Sequence, residues 1–189
     1  MADTPPRSPL APEQFPILPL ISGVSFASAA AGVKYQGRTD VMLAQIAPGS
    51  AMAGVFTKSS TRAAPVLDCQ AKIGLDSDAG AAIIVNSGNA NAFTGKNGSE
   101  ATQAVTDAVA DALDLPKTRV FSSSTGVIGE PLPHDRITAK IIELKTTLDE
   151  SAIEAAAEAI RTTDTFAKGA GAQIEMNGKT VSIAGIAKG

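Results

Sequence analysis

The amino-acid sequence has 189 residues, a formal net charge of −3, one cysteine and one histidine. A net acidic chain lacks the clustered lysine and arginine that binding to bulk nucleic acid requires. No apolar run approaches the roughly 18 to 20 residues of a membrane-spanning helix. One cysteine and one histidine exclude an internal disulfide and a metal cluster built from these two residue types. Hydrophobic residues make up 44% of the chain, so we expect a packed globular domain rather than a disordered chain.

The first 20 residues are rich in proline and are predicted to form a flexible N-terminal arm ahead of a domain over residues 21–189. This stretch has neither the apolar core of a signal peptide nor the arginine-rich pattern of a transit peptide, so a cytoplasmic location is expected. Short apolar segments then alternate with glycine and proline turns, which is typical of strands. The strands predicted before the first helix are Val24–Val33, Val41–Ala47, Ala53–Thr57 and Ala81–Val85.

The second half of the sequence combines helical periodicity with shorter strands. Apolar residues at helical spacing predict a helix that begins at Ser99, whose side chain can cap free backbone N–H groups. The Asn177-Gly178 pair predicts a type I′ turn in a C-terminal hairpin. The further predicted elements are a strand over Arg119–Ser123, helices over Pro133–Leu148 and Ser151–Arg161, and the hairpin over Ala172–Ala187. This uneven alternation predicts a layered α/β (α+β) fold, with stacked sheets flanked by helices, rather than a regular doubly wound sheet.

The lone histidine and the lone cysteine have structural interpretations as well as catalytic ones. A Ser-His-Asp triad would have to use His134, but the preceding Pro133 is typical of a helix start, which favours a solvated histidine. Cys69 follows Val66 and Leu67 and is more often a small core residue than a nucleophile. Any chemistry in this protein is therefore expected to proceed without histidine.

Four polar or glycine-rich segments stand where a core would otherwise continue. They are Asn86–Ala92 and Ser122–Gly129, each after a predicted strand, Arg161–Thr165 at the end of a predicted helix, and Ala187–Gly189 after the hairpin. Thr125 and Gly126 offer a hydroxyl beside an unhindered backbone N–H, a donor pair that acyl-transfer enzymes direct at a developing oxyanion. Each segment alone is also consistent with an ordinary turn, a helix end or a surface lysine. No Gly-x-Gly-x-x-Gly dinucleotide fingerprint fits the first segment.

Taken together, in this order and at these intervals, the segments resemble the ornithine acetyltransferase family from residue 21 to residue 189. Val85–Ala92 and Ser124–Gly129 are similar to family signatures almost residue for residue. The shorter matches are Gly54–Thr57, Ala63–Val66, Thr162–Thr165 and Ala187–Gly189. The resemblance implies an N-terminal-nucleophile-like fold of the type that ornithine acetyltransferases share with β-aminopeptidases.

In that family a precursor cuts itself before a threonine, and the freed threonine acts as nucleophile with its own α-amine as general base. The resemblance implies that this threonine carries an acetyl group from N-acetylornithine to glutamate in arginine biosynthesis. It further implies an oxyanion hole formed by Thr125 and Gly126, and contacts of Thr162 and Lys188 with the amino-acid substrate. The residues assigned only to shaping the loop are Asn86, Asn89 and Asn91. No cofactor or metal is implied, and whether acetyl-CoA also donates acetyl groups is left open.

The family pattern continues beyond the end of this sequence, where the nucleophilic threonine would stand. We therefore expect this chain to be the N-terminal α chain, to pair with a β chain from the same precursor in an α2β2 assembly, and to be inactive alone. Two alternatives stay open: a self-processing β-aminopeptidase-type hydrolase subunit, and a non-catalytic binding or scaffold subunit. The first would cleave peptides rather than exchange acetyl groups, and the second would be stable and soluble without a β chain.

Overall fold

The computed structural model describes residues 6–188, and its centre is a mixed four-stranded sheet. The strands are β1 (Val24–Ala29), β2 (Val41–Ile46), β3 (Ala81–Asn89) and β4 (Val120–Val127), in the spatial order β1-β2-β3-β4. β1 and β3 run antiparallel to β2, whereas β4 runs parallel to β3. Since parallel strands point the same way, β3 and β4 end at the same edge of the sheet.

Within the described residues, five α-helices flank the sheet. They are α1 (Ala64–Lys72), α2 (Gly95–Leu113), α3 (His134–Thr138), α4 (Ile141–Thr146) and α5 (Ile153–Ala159), with a 3-10 turn at Lys117–Arg119 before β4. α2 supplies the crossover that the parallel pair of β3 and β4 requires. Over residues 6–188, no helix combines the length and the apolar character that crossing a membrane demands.

Alternate strand residues point to opposite faces of the sheet and enter different hydrophobic clusters. Leu43 and Ile84 join one cluster, whereas Met42 and Val85 join another. From the helical layers, the first cluster takes Val105, Val109, Ile137, Ile141 and Leu144, and the second takes Ala156, Ala159 and Ile160. α1 contributes Cys69 to a third cluster. Helices therefore pack on both faces of the sheet, in agreement with the predicted layered α/β fold.

A second sheet is formed by a hairpin of β5 (Lys168–Met176) and β6 (Lys179–Ala187). Its turn has Asn177 at φ 51° and Gly178 at φ 73°, and two positive φ values are what a type I′ turn requires. The predicted hairpin is therefore confirmed, with a first strand that begins four residues earlier than expected. Large apolar side chains of this hairpin are exposed, namely Ile174, Met176, Val181 and Ile183.

Part of the predicted N-terminal arm lies against the hairpin. A Cβ added at Gly169 would stand 2.5 Å from Cζ of Phe15 and 3.3 Å from Cδ1 of Leu18, so these side chains occupy the space that the glycine leaves. The Ser8 N–H also donates to Thr165 Oγ1 at 3.1 Å. Residues 1–5 and Gly189 lie outside the described residues. The division into a flexible arm and a domain over residues 21–189 stays a prediction.

The strand predictions differ from the structure mainly at their ends. Asn86–Asn89 and Ser124–Val127, predicted as loops, are the last residues of β3 and β4. β1 stops at Ala29, short of the predicted Val33, because the chain turns at Gly32 with φ 71°. The strand predicted over Ala53–Thr57 is wrong, since this segment pairs with no strand among residues 6–188. A segment with strand-forming residues is not a β-strand unless a neighbouring strand forms hydrogen bonds with it.

The helix predictions also need corrections. The sequence did not predict α1, because its buried residues are Pro65, Cys69 and Lys72, a set without an obvious apolar stripe. α2 begins four residues before Ser99, at Gly95, and its early glycines are poor helix formers that mask the true start. The helix predicted over Pro133–Leu148 is two helices, α3 and α4, separated by a short turn in which Lys140 N–H donates to Ile137 O at 2.9 Å.

The packing of α4 gives a test of the core. Leu144 has no exposed surface, whereas Ile142, two residues earlier on the same helix, is 65% exposed. We expect Leu144→Ala in the full-length protein to lower the free energy of unfolding by about 2–5 kcal/mol, because a cavity is left in the core. Ile142→Ala is the matched control and should change it by no more than about 0.5 kcal/mol. Thermal unfolding measures both, and equal effects of the two variants would contradict the assignment of the core.

Candidate functional site

The candidate site lies where the parallel strands β3 and β4 end together. In the register of this pair, Thr125 lies opposite both Ser87 and Asn89, and Gly126 lies opposite Gly88. The ladder is irregular at this point, with a shift of register at Gly88 and Asn89. Such irregularities re-aim side chains at the edge of a sheet. Two of the four polar segments are thus brought side by side.

A cleft of about 520 Å³ opens at this edge. Its lining residues are Tyr35, Gly88, Ala90, Ser124, Thr125, Gly126, Val127, Thr162, Thr163 and Lys188. All four site residues predicted from the sequence, Thr125, Gly126, Thr162 and Lys188, therefore border one cavity although they are up to 63 positions apart (188 − 125) in the chain. Thr125 is half-buried, and Gly126 and Lys188 are exposed, so a small molecule can reach them.

Glycine is required at the meeting point of the two strands. Gly126 has φ 140°, and a Cβ placed on it would stand 2.2 Å from the carbonyl carbon of Gly88. Gly88 itself has φ 99°, and a Cβ there would stand 2.8 Å from Cβ of Lys34. Both positions combine a left-handed backbone with a close approach that only glycine permits. Glycine at position 126, next to Thr125, is thus a steric necessity.

The buried asparagines at the end of β3 and just beyond it form hydrogen bonds with other groups of the protein. Asn86 Nδ2 donates to Asn89 O at 2.9 Å, and Ser124 Oγ donates to Asn86 Oδ1 at 2.6 Å. Asn91 is fully buried at φ 46°, and its Nδ2 donates to Thr102 Oγ1 at 2.9 Å. These bonds tie β3 to β4 and to α2. Through these bonds the asparagines shape the loop; that they take no part in ligand binding stays a prediction.

Lys188 is the charged residue among those that line the cleft. Among residues 6–188, its ammonium group forms no ion pair. A second lysine close to Gly88, Lys34, is instead paired with Glu130 at 2.8 Å. An exposed and uncompensated ammonium group can bind a carboxylate, which is what the sequence analysis expected of Lys188.

Sequence reasoning missed Tyr35 as a residue of the cleft. Tyr35 stands in the loop between β1 and β2, and its ring lies 5.8 Å from the guanidinium carbon of Arg38. Half of its surface is exposed. The only hint in the sequence is an aromatic residue within a polar, glycine-containing loop, and nothing local connects it to Thr125.

The cysteine and the histidine lie outside the residues that line the cleft. Cys69 is a buried residue of α1, and its thiol donates to Ser122 O at 3.2 Å. Burial raises the pKa of the Cys69 thiol above its ordinary value, which keeps it protonated and unreactive near neutral pH. His134 is the first residue of α3, as expected for a helix start. Among residues 6–188, no group of three or more histidine, cysteine and carboxylate side chains could hold a metal ion.

The close approach at Gly126 can be tested against a second glycine of positive φ. Gly129 has φ 85°, but a Cβ there would meet nothing within 4 Å. In the full-length protein, Gly126→Ala should lower the free energy of unfolding by at least about 3 kcal/mol, because backbone atoms must move apart. Gly129→Ala should lower the free energy of unfolding by only about 1–2 kcal/mol, which is the cost of placing alanine at a positive φ. Melting temperatures measure the difference, and two equal shifts would show that the strands do not meet as described.

Comparison with curated proteins finds close relatives in bacteria. The chain is 64% identical over 182 residues to the arginine biosynthesis bifunctional protein ArgJ of Ruegeria pomeroyi, covering 96% of this chain and 45% of that protein. It is 49% identical to the protein of the same name from Gluconobacter oxydans, covering 100% of this chain and 44% of that protein. The chain thus spans less than half the length of these relatives.

Solved structures confirm the fold. The arginine biosynthesis bifunctional protein ArgJ of Bacillus halodurans superposes with a TM-score of 0.81 at 38% identity, covering 89% of this chain and 87% of that chain. Ornithine acetyltransferase of Mycobacterium tuberculosis, solved in complex with ornithine, gives a TM-score of 0.79 at 35% identity, covering 89% of each chain. The family model of ArgJ matches residues 25–189, which includes every segment of the cleft. On this evidence the chain belongs to the ArgJ family.

Proposed function

We propose that this chain is the N-terminal part of an ornithine acetyltransferase that moves an acetyl group from N-acetylornithine to glutamate in arginine biosynthesis. The observation that carries the proposal is the single cleft bordered by Thr125, Gly126, Thr162 and Lys188. Membership of the ArgJ family supports it, as does the ornithine complex of the Mycobacterium tuberculosis relative. The same evidence favours acetyl transfer over the alternatives of a β-aminopeptidase and a scaffold subunit.

The chemistry proposed for the cleft is acyl transfer through an ester. The hydroxyl of a threonine on the proposed β chain attacks the acetyl carbonyl of N-acetylornithine, while the α-amine of the same threonine accepts the hydroxyl proton. The C–N bond of the substrate breaks, ornithine leaves with that proton on its amine, and acetyl-threonine remains. Glutamate then attacks the ester carbonyl through its neutral amine, the ester C–O bond breaks, and N-acetylglutamate leaves. The α-amine of the threonine takes the proton lost by the glutamate amine and passes it to the threonine oxygen, which restores the hydroxyl.

Thr125 and Gly126 serve in this proposal as the oxyanion hole. Both tetrahedral intermediates place negative charge on the former carbonyl oxygen, and donors held in advance stabilise that charge. The Gly126 position is fixed by its contact with Gly88, and the neighbouring Ser124 is held by Asn86. A donor pair on one strand, β4, that is ladder-bonded to β3 needs little reorganisation during the reaction, which is the property that oxyanion stabilisation depends on.

Thr162 and Lys188 serve as contacts for the amino-acid substrate. N-acetylornithine and glutamate both carry an α-carboxylate, so one ammonium group, that of Lys188, can receive either of them in turn. The hydroxyl of Thr162 borders the same cleft and can bond a polar group of the substrate. Shared recognition of the common group fits a reaction in which the two substrates visit one site.

The partner proposed for residues 21–189 is a β chain from the same precursor, which brings the nucleophilic threonine, in an α2β2 assembly. The lengths of the relatives support two chains. This chain covers only 44–45% of the two curated ArgJ proteins compared above, but 87–89% of the chain seen in each of the two solved structures. The exposed apolar residues of the hairpin offer a surface for such a partner.

The curated relatives are called bifunctional, which favours acetyl-CoA as a second acetyl donor for making N-acetylglutamate. No resident cofactor is proposed.

The test is acetyl exchange between N-acetylornithine and labelled glutamate by the full-length protein and its Thr125→Ala variant. We expect the variant's turnover to fall about 100-fold or more, because one donor to the oxyanion is lost. Thr125→Ser keeps the hydroxyl and should retain most of the activity. Thr138→Ala, which removes an exposed hydroxyl on α3, is the matched control.

Only self-cleaved protein, checked by gel electrophoresis, is compared, so that a processing defect is not mistaken for a catalytic one. Undiminished turnover in cleaved Thr125→Ala would show that Thr125 is not part of the oxyanion hole. Absence of acetyl exchange in the cleaved wild type would refute the proposed function.

A further inference from the structure

The loop between β1 and β2 is anchored at its base by a buried carboxylate. Asp40 is only 2% exposed, and its two oxygens accept the backbone N–H groups of Ala31 at 2.7 Å and Val33 at 2.6 Å. The carbonyl of Asp40 also accepts the N–H of Ser87 in β3 at 2.8 Å. The base of this loop is therefore fixed relative to the strand that ends at the cleft.

Arg38, two positions before Asp40 in the same loop, reaches across to the segment that carries Thr162. Arg38 Nη2 donates to Arg161 O at 2.5 Å, and Arg38 Nη1 reaches Thr162 O at 3.4 Å. The ring of Tyr35 lies 5.8 Å from the Arg38 guanidinium, within the range of a cation–π contact. One side chain thus holds the carbonyls of two successive residues, one of which belongs to the cleft.

The segment 161–163 depends on such external contacts, because it lies between α5 and β5 without regular structure of its own. Its other tethers are local: Arg161 Nη1 donates to Asp164 O at 2.9 Å, the Arg161 guanidinium pairs with Glu158, and the Arg161 N–H donates to Glu158 O at 3.3 Å. Arg38 supplies the long-range tether, 123 positions away from Arg161 in the sequence. One continuous path of contacts between the strand edge and Thr162 therefore runs from Ser87 to Asp40 and through the loop to Arg38.

We propose that Arg38 is a positioning residue of the cleft, which places Thr162 for contact with the amino-acid substrate while the Tyr35 ring holds the guanidinium in place. This inference rests on the proposed function only in the identity of the substrate. An arginine suits the task since its planar fork carries separate nitrogens for two carbonyls, whereas lysine offers one nitrogen. Arg38 contacts neither Thr125 nor Gly126 in the described structure, so its loss should affect binding rather than the chemical step.

Steady-state kinetics of the cleaved full-length enzyme test this proposal. Arg38→Gln should raise KM for N-acetylornithine about 10-fold and leave kcat within about twofold, the pattern expected when binding common to ground and transition states is lost. Arg38→Lys should lie between Arg38→Gln and the wild type. Arg62→Gln is the matched control, because Arg62 bonds Gln70 on the surface and should leave both constants unchanged.

A double-mutant cycle distinguishes positioning from a general structural role. If Arg38 acts through Thr162, Arg38→Gln combined with Thr162→Ala should be no worse than the more damaging single variant. Additive effects would overturn the proposal. So would an Arg38→Gln variant that lowers kcat and the melting temperature together while KM stays constant.

Calorimetric titration with ornithine supplies a readout that needs no turnover. The dissociation constant of Arg38→Gln should rise by the same factor as KM. Ornithine binding weakened by Arg38→Gln, without acetyl transfer in the wild type, would retain the positioning role and refute the proposed function. Normal transfer with an unchanged dissociation constant and KM in Arg38→Gln would retain the function and refute the positioning role. A wild type that neither binds ornithine nor transfers acetyl groups would overturn both.

Discussion

The candidate site depends on the contact between two glycines, Gly88 and Gly126, at the ends of parallel strands. The Gly126 position lies so close to the Gly88 carbonyl carbon that a Cβ would be 2.2 Å away. This approach sets Thr125 beside Ser87 and Asn89 and opens the edge of the sheet to the cleft. A parallel pair can exist only with a crossover, so α2 and its packing are part of the same constraint.

Buried polar groups make this edge rigid. Asn91, Asn86 and Thr102 are each within 4% of complete burial, and burying unpaired amides would cost free energy. Each is instead satisfied: Asn91 bonds Thr102 and Gly98 on α2, and Asn86 bonds Asn89 and Ser124. These bonds resist rearrangement, because each displaced group would lose a partner in a medium of low polarity. The buried hydroxyl of Ser87, which lies opposite Thr125, has no hydrogen-bond partner among residues 6–188 and is not part of this network. The strand edge that holds Thr125 is therefore ordered by hydrogen bonds within the protein.

Sequence patterns predicted the elements whose causes are local. The apolar run of β3 and the Asn177-Gly178 turn both carry their own structural reason, and both are found. α1 was missed because a lysine, Lys72, lies on its buried side, where it is paired with Asp68 and donates to Val120 O. The four predicted site residues were assigned their roles from the resemblance to a family, because the local sequence around each of them is equally consistent with an ordinary turn, a helix end or a surface lysine. Arg38 could not be predicted, since its bonds reach Arg161 and Thr162, 123 and 124 positions away. Tyr35 could not be predicted either, since only folding brings it to the same cleft as Thr125 and Lys188.

The two sides of the cleft differ in what holds them. Thr125 and Gly126 belong to a strand, whose ladder and network fix them from within the sheet. Thr162 belongs to an irregular segment, and Lys188 follows the last strand of a largely exposed hairpin. Groups that must stabilise a developing charge gain most from rigidity, whereas groups that bind and release two different substrates gain from lighter restraint. The proposed tether from Arg38 fits that intermediate degree of order, because it contacts the carbonyl of Thr162, whose hydroxyl has no hydrogen-bond partner within residues 6–188.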